Sequence, residues 1–353
     1  MIKKILPLIL FTLTFSKIFC QDNSLGGMKF GINLDLVHTS DIEAKENLFA
    51  PREAEITFYG PVNHLFNAMV AVAAHNEEGS LNFELHEAWV SSASLVNNFD
   101  FRFGQYFLNI GRLNKVHRHE WPFITAPKFY EEMFAEEGIS DSGLEVTYKI
   151  PGKSNFSLLA GLASGRVLGE AHYEGKQPNL PTNYLRFGYF FEAFGWTGFD
   201  CGLNYLNRID GDGNQSLYFG FDFIGKKKEG AILKHLVQSE FWTRKATNQN
   251  GDIGSNEFGF YLYYQYGFTK EWALGPRLDY FTDLSRKDDL GKSVNYYDVR
   301  GVLSLTYQPT EFMRFKLDYS NGIEMVDNSK LQQTNKIELQ VTFLLGAHPS
   351  HDF

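Results

Sequence analysis

Between residues 28 and 345 the chain alternates apolar and polar positions in short, aromatic-rich runs, joined by connectors that are brief and long in turn. The run Ile337-Glu338-Leu339-Gln340-Val341-Thr342-Phe343 puts Ile, Leu, Val and Phe on one face of an extended strand and Glu, Gln and Thr on the other. Leu217, Phe219, Phe221 and Phe223 behave likewise against Tyr218, Gly220 and Asp222, as do Met313, Phe315, Leu317 and Tyr319 against Arg314, Lys316 and Asp318. One such run fits any half-buried strand. Sixteen of them, from 28–38 to 334–346, with bulky aromatics on the apolar faces and no core helix, ask for a different environment. Lipid accepts strands only where a closed ring pairs every backbone group. The pattern predicts an all-β fold, a transmembrane antiparallel β-barrel of about sixteen strands within a range of about fourteen to eighteen.

Connector length orients this barrel. Long connectors at 39–52, 111–141, 165–182, 208–214, 245–255, 284–293 and 323–333 alternate with mostly brief ones, such as 61–63, 151–154, 226–229 and 309–310. Brief connectors read as periplasmic turns and long ones as outer loops, with both termini on the periplasmic side. Residues 1–20 read as a cleaved signal peptide, basic Lys3 and Lys4 preceding an apolar stretch too short to span a bilayer. The barrel domain is then 21–353. Cys20 ends the leader, or carries a lipid if the cut falls before it. Without the leader Cys201 stands alone, so no intramolecular disulfide is available. Its loss also removes Lys3, Lys4 and Lys17, taking the formal charge from −9 to −12. That sign disfavours nucleic-acid partners.

Strand parity sends thirteen acids and nine bases inward, among them Asp35, Glu55, Glu240, Arg277, Asp279 and Lys316. In a water-filled channel such charges stay hydrated without fixed partners, and the slight acid excess favours cations. The connector at 111–141 is different. It keeps Trp121, Phe123, Phe129, Tyr130, Met133 and Phe134, which a water-exposed loop has little reason to hold. It is expected to fold back into the barrel and narrow the bore, with one or two helical turns at 130–137. The constriction would set Arg112, Arg118, Glu131, Glu132, Glu136 and Glu137 of this third outer loop against Arg102, Arg300, Arg314 and Asp318 of the wall.

In the same loop, His117-Arg118-His119-Glu120 puts two imidazoles on one side of an extended segment beside a carboxylate. Such donors suit Zn²⁺ or a similar ion, which makes His117, His119 and Glu120 candidate metal ligands. The competing reading is that the histidines only pin the loop to the wall. His348 and His351 form a second spaced pair near the C-terminus. No other cofactor is expected. Catalysis has little support: Ser142, His119 and Asp141 make a triad on paper, but the chain has no G-x-S-x-G, Walker A or H-E-x-x-H motif. An enzyme is not expected. Asp210-Gly211-Asp212-Gly213-Asn214 lacks the downstream Glu of a Ca²⁺ loop and reads as a turn.

Gly104, Gln105 and Phe107, then Gly111, Arg112, Asn114, His117 and His119, then Trp121, Phe123, Pro127, Phe134, Gly138 and Ile139 form a longer pattern. It resembles a Gram-negative porin-like outer-membrane family, often labelled zinc-regulated outer-membrane receptors and distantly similar to phosphate-selective porins. The ending from Gly346 to Phe353 is similar to that family's. The resemblance implies an outer-membrane channel for passive diffusion of small hydrophilic solutes or ions, divalent metal such as zinc among them. Its partners would be outer-membrane lipid, the barrel-assembly machinery and, by analogy with porins, sister copies in a homotrimer. Strand pattern begins a few residues after the leader, leaving no plug domain or TonB box, so energised uptake is not expected. An all-basic phosphate filter is not evident either. A second reading stays open: a non-conducting barrel acting as surface adhesin or structural anchor.

Overall fold

The computed structural model describes residues 27–77, 80–134, 138–152, 155–165 and 176–346. The leader with Cys20, Glu136, Glu137, and the terminal His348, His351 and Phe353 lie outside the described residues. Among the described residues sixteen antiparallel strands form one closed ring, each paired with its neighbours in chain order. The first, β1 (Lys29–Asp41), closes the ring against the last, β16 (Ser329–Gly346). Closure matters because an open edge in hydrocarbon would leave backbone groups without partners. No helix among the described residues is long and apolar enough to cross a membrane. The strands do the crossing.

The alternation in the sequence becomes two chemically distinct surfaces. Phe103 is 68% exposed on the outside, with Leu203, Phe219, Leu262, Leu303 and Leu339 similarly outward on other strands. In water this apolar coat would be costly, and in a bilayer it is the contact surface. Aromatic rings gather toward the end of the barrel that carries the brief turns. Phe99 meets Tyr148 at 4.7 Å between centroids, Phe156 meets Tyr189 at 4.3 Å, and Trp272 meets Tyr307 at 4.3 Å. Amphipathic rings favour the headgroup level, so these pairs mark one interface. This is the architecture of an outer-membrane barrel.

Several expected long outer loops are strand instead. The ladder between β1 and β2 (Glu46–Pro61) runs out to Asp41 opposite Glu46, so only 42–45 turn. Between β15 (Met313–Val326) and β16 only 327–328 turn. Pairing the backbone groups with each other continues above the bilayer, where side chains on both faces of these hairpins are exposed. The lysines at 226–228, expected in a periplasmic turn, belong to β10 (Gln215–Glu229).

The inward face holds the charges that parity assigned to it; those near the brief-turn rim, such as Lys149, are exposed, but many deeper in the bore are not hydrated. Asp35, Asp222, Asp279 and Asp318 are wholly buried, and Arg277 sits 2.8 Å from Asp279 with neither side chain exposed. Burial follows because segment 108–139 fills the bore and packs on them. At the closing seam Asp35 of β1 accepts hydrogen bonds from Gln340 Nε2 at 2.7 Å and Thr342 Oγ1 at 3.1 Å on β16. From the other side Arg52 of β2 donates to it at 2.7 Å.

The two surfaces make opposite demands on a new charge. In β12 (Ile253–Gly267), Leu262 faces outward near mid-strand. Leu262→Arg is expected to lower folding stability in lipid vesicles by about 2–4 kcal/mol. Leu331→Arg, on the exposed outer hairpin, should be near neutral. Denaturant titration of the two variants gives the comparison.

Candidate functional site

Segment 108–139 leaves the wall after β5 (Phe99–Phe107), crosses the bore and returns as β6 (Ser140–Lys149). Its regular structure is small: one 3-10 turn at Arg118–Glu120 and a two-turn helix, α1 (Lys128–Phe134). Trp121, Phe123, Phe129, Tyr130, Met133 and Phe134 are all buried, packing on Tyr218, Trp242, Tyr261 and Tyr263 of the wall. Phe134 meets Trp242 at 4.7 Å and Phe123 meets Tyr263 at 5.4 Å, both edge to face. The apolar loop residues are therefore a second core, inside the barrel. The expected helical turns form over 128–134, and residues 135–137 lie outside the described residues.

A buried irregular segment must place its backbone polar groups somewhere. Here the wall takes them. Arg277 Nη1 donates to the Thr125 carbonyl at 2.6 Å, Arg300 to that of Ala126, Arg314 to that of His119, and Lys316 to that of Trp121. Asp318 accepts the Ile124 amide at 2.8 Å, Glu240 the Leu113 amide at 2.8 Å, and Asn204 the Gly111 amide at 3.0 Å. Arg277 also lies over the Phe123 ring, 4.1 Å from its centroid.

The neck of the segment is tied by one side chain. Asn114 Nδ2 donates to the carbonyls of Leu108 at 2.8 Å and Ile139 at 3.1 Å, and its Oδ1 accepts the Ile139 amide at 2.6 Å. Two glycines permit this geometry. Gly111 has φ +64° with Glu240 and Trp242 where a Cβ would stand, and Gly138 has φ +92° against Tyr130 and Asn114.

On one side of the bore, four histidines and four carboxylates converge. Glu53 and Glu55 come from β2, His75 from β3 (Asn67–Glu77), and Glu84, His86 and Glu87 from β4 (Ser80–Val96); His117 and His119 come from the loop. Two β-bulges build the wall half. In β4, His86 is the extra residue between the Glu87–Ala71 and Leu85–Val72 pairs, so His86 and Glu87 both turn inward. In β2, Arg52 is the extra residue before Glu53. His117 Nδ1 lies 2.9 Å from Glu55 Oε2, and its Nε2 is 2.9 Å from Glu87 Oε1. His86 Nδ1 lies 3.2 Å from the same Glu55 oxygen, while its Nε2 faces His75 Nε2 at 2.8 Å. His119 Nδ1 is 3.2 Å from Glu53. Burial opposes charge on the His117 ring, but the Glu55 and Glu87 carboxylates outweigh it and hold its pKa well above the ordinary histidine value.

The constriction residues fall into three groups. Arg300, Arg314 and Asp318 bind loop backbone, and Arg102 pairs with Glu145 at 2.9 Å. Arg112 is 3.5 Å from Asp200. Glu131 is half-buried and held above the usual carboxylate range by burial, against the pull of Arg300 and Lys128, while exposed Glu132 pairs with Lys128 at 2.6 Å. Arg118 opens the 3-10 turn Arg118–Glu120. Glu120 is not one of the four converging ligand residues: it lines a cavity with Arg314. Glu53, His75 and Glu87 were missed from sequence. Glu53 shares the parity of Glu55, and His75 follows inward Ala71 and Ala73, whose small size leaves room for the loop; Glu87 was hidden by the bulge.

Between the loop and the brief-turn end of the barrel lies a cavity of about 300 Å³. Its charged lining is Arg112, Lys226, Arg314 and Lys316 with Glu120, joined by Gln238, Gln265 and Gln308. The acid excess of the whole wall does not carry over to it, because Asp35, Asp222, Asp279 and Glu240 are buried in pairs or against the loop.

No protein-family model matches the chain. Over 332 residues, 85% of this chain and 69% of the other, it is 24% identical to an uncharacterized protein of Aquifex aeolicus (strain VF5). Its fold is similar to outer-membrane expressed OmpT of Vibrio cholerae, with TM-score 0.62 at 12% identity over 92% of this chain and 99% of that one. It is also similar to the outer membrane channel DcaP of Acinetobacter baumannii, at TM-score 0.60 and 11% identity over 91% and 99%. For OprB of Pseudomonas putida the figures are 0.63 and 7% over 91% and 94%. At these identities the shared property is the porin-type barrel fold.

If Asn114 ties the neck, Asn114→Leu should strand the buried Ile139 amide, at about 1–3 kcal/mol, while the Leu108 and Ile139 carbonyls keep the Ile110 and Leu108 amides. The expected result is faster hydrogen exchange across 108–139 by about a hundredfold, with protection of the barrel strands kept.

Proposed function

We propose that the chain is a porin-like outer-membrane channel for passive diffusion of small hydrophilic solutes, with a preference for anions where the loop narrows the bore. The observation that carries this reading is the cavity beneath segment 108–139. Four bases and one acid line it, and amide side chains between them supply further polar contacts. At about 30 Å³ per water it has room for roughly ten waters, enough for a small solute with part of its hydration shell. Rings of like charge at a constriction concentrate the opposite ion and repel the same one. No covalent chemistry is required.

Divalent metal has a different place in this reading. The histidine–carboxylate cluster is buried beside the passage and does not line the cavity. An ion held there would be a resident of the barrel, not cargo.

Planar-bilayer recording tests the proposal. Discrete conductance steps are expected, with a reversal potential under a salt gradient on the anion side. Lys226→Glu should move that potential toward cations without unfolding the barrel. Silence from correctly folded protein would overturn the channel and leave the anchor reading in its place.

A further inference from the structure

We infer that Glu53, Glu55, His86 and His117 form a binding site for one divalent transition-metal ion of the zinc class, which latches the inward loop to the wall. One ligand atom from each of these four residues lies within 4.8 Å of the others, and all four side chains are buried. The set joins three parts of the fold. Glu53 and Glu55 come from β2, His86 from the bulge of β4, and His117 from the segment that crosses the bore.

Three observations favour a metal over a set of ordinary ion pairs. First, the donors converge on one point: the Nδ1 atoms of His86 and His117 lie 3.2 and 2.9 Å from the same Glu55 oxygen. Second, His117 Nδ1 is buried and has no hydrogen-bond partner despite that short distance, since the carboxylate lies off the line a hydrogen bond needs. Third, the far nitrogens of both rings are already held. His117 Nε2 is fixed by Glu87, which accepts a further bond from Trp89 Nε1 at 2.7 Å, and His86 Nε2 is fixed by His75. Ligating histidines are characteristically braced in this way, the second nitrogen bonded to a carboxylate or another buried group while the first faces the ion.

Two imidazoles and two carboxylates are a borderline-to-hard donor set, suited to Zn²⁺ and its first-row neighbours rather than to Ca²⁺ or Mg²⁺. Bonds of about 2 Å in a tetrahedral site separate ligand atoms by about 3.3 Å, so the observed spacings need small side-chain shifts only. Conduction is not needed for this inference, and a failure of one leaves the other standing. The consequence is mechanical. A single ion would couple the loop at His117 to two wall strands at once.

The test uses the full-length barrel in detergent, stripped with a chelator and titrated with Zn²⁺ alone, the metal being counted after gel filtration. One ion per chain is expected. His117→Gln should weaken retention by at least tenfold and Glu87→Gln by about 10–100-fold, whereas His38→Ala, remote from the cluster, should change nothing. Hydrogen exchange in 108–139 should slow with Zn²⁺ in the wild type but not in His117→Gln. Absence of retained Zn²⁺ in the wild type, or equal retention by folded His117→Gln, would overturn the site. Should that variant not fold, X-ray absorption of the zinc-loaded wild type decides. Two imidazoles with carboxylate oxygens support the assignment, and an all-oxygen shell refutes it.

Discussion

An irregular segment can lie inside a membrane barrel only if every buried amide and carbonyl finds a partner, and that requirement organises this molecule. Segment 108–139 has too little helix to satisfy itself. The wall answers with long cationic side chains for carbonyls and with carboxylates or amides for N–H groups. Each such bond to a charged group is stronger than a neutral one, and removing either partner would leave the other stranded out of water. Several charges that look like channel lining are the sockets of the loop.

This division of labour separates the bore into two chemical regions. Where the loop presses on the wall, acids and bases are consumed by each other and by backbone. Beneath the loop, the charged lining of the cavity is Arg112, Lys226, Arg314 and Lys316 with Glu120, and Arg314 and Lys316 there also hold loop carbonyls. A tally of inward residues along the sequence counts charges that the loop and ion pairs take up, so it does not describe the lining of this cavity. Many of the acids counted are taken up in pairs such as Arg186 with Asp222 at 2.8 Å and Arg52 with Asp35.

Much of the fold was legible in the chain. Period-two alternation across runs such as 337–343 fixed strand faces, and aromatic density in 121–134 foretold an inward loop, because lipid and water leave few other homes for those side chains. The histidines His117 and His119 stood out as spaced donors. Their partners did not, since Glu53, Glu55, His75, His86 and Glu87 are brought together only by the register of the neighbouring strands β2, β3 and β4. Glu87 in particular was invisible to parity: one extra residue in β4 reverses the face of everything beyond it. The ends of the outer hairpins escaped for a different reason. Exposed ladders carry no lipid-facing pattern, so nothing in residues 42–52 or 323–333 distinguishes a paired strand from a loop.

Asp35 gives the ring a property that hydrogen-bonded ladders alone do not confer. A slide of one position between the terminal strands would turn Gln340 and Thr342 outward into hydrocarbon and leave this carboxylate facing apolar side chains. On the other flank of β1 the Arg52 guanidinium holds the same carboxylate and reaches on to the Ile124 carbonyl, which ties the seam to the loop. Misaligned closure is thus penalised at both of the contacts this acid makes across the seam, which favours one alignment of the zipper between first and last strands.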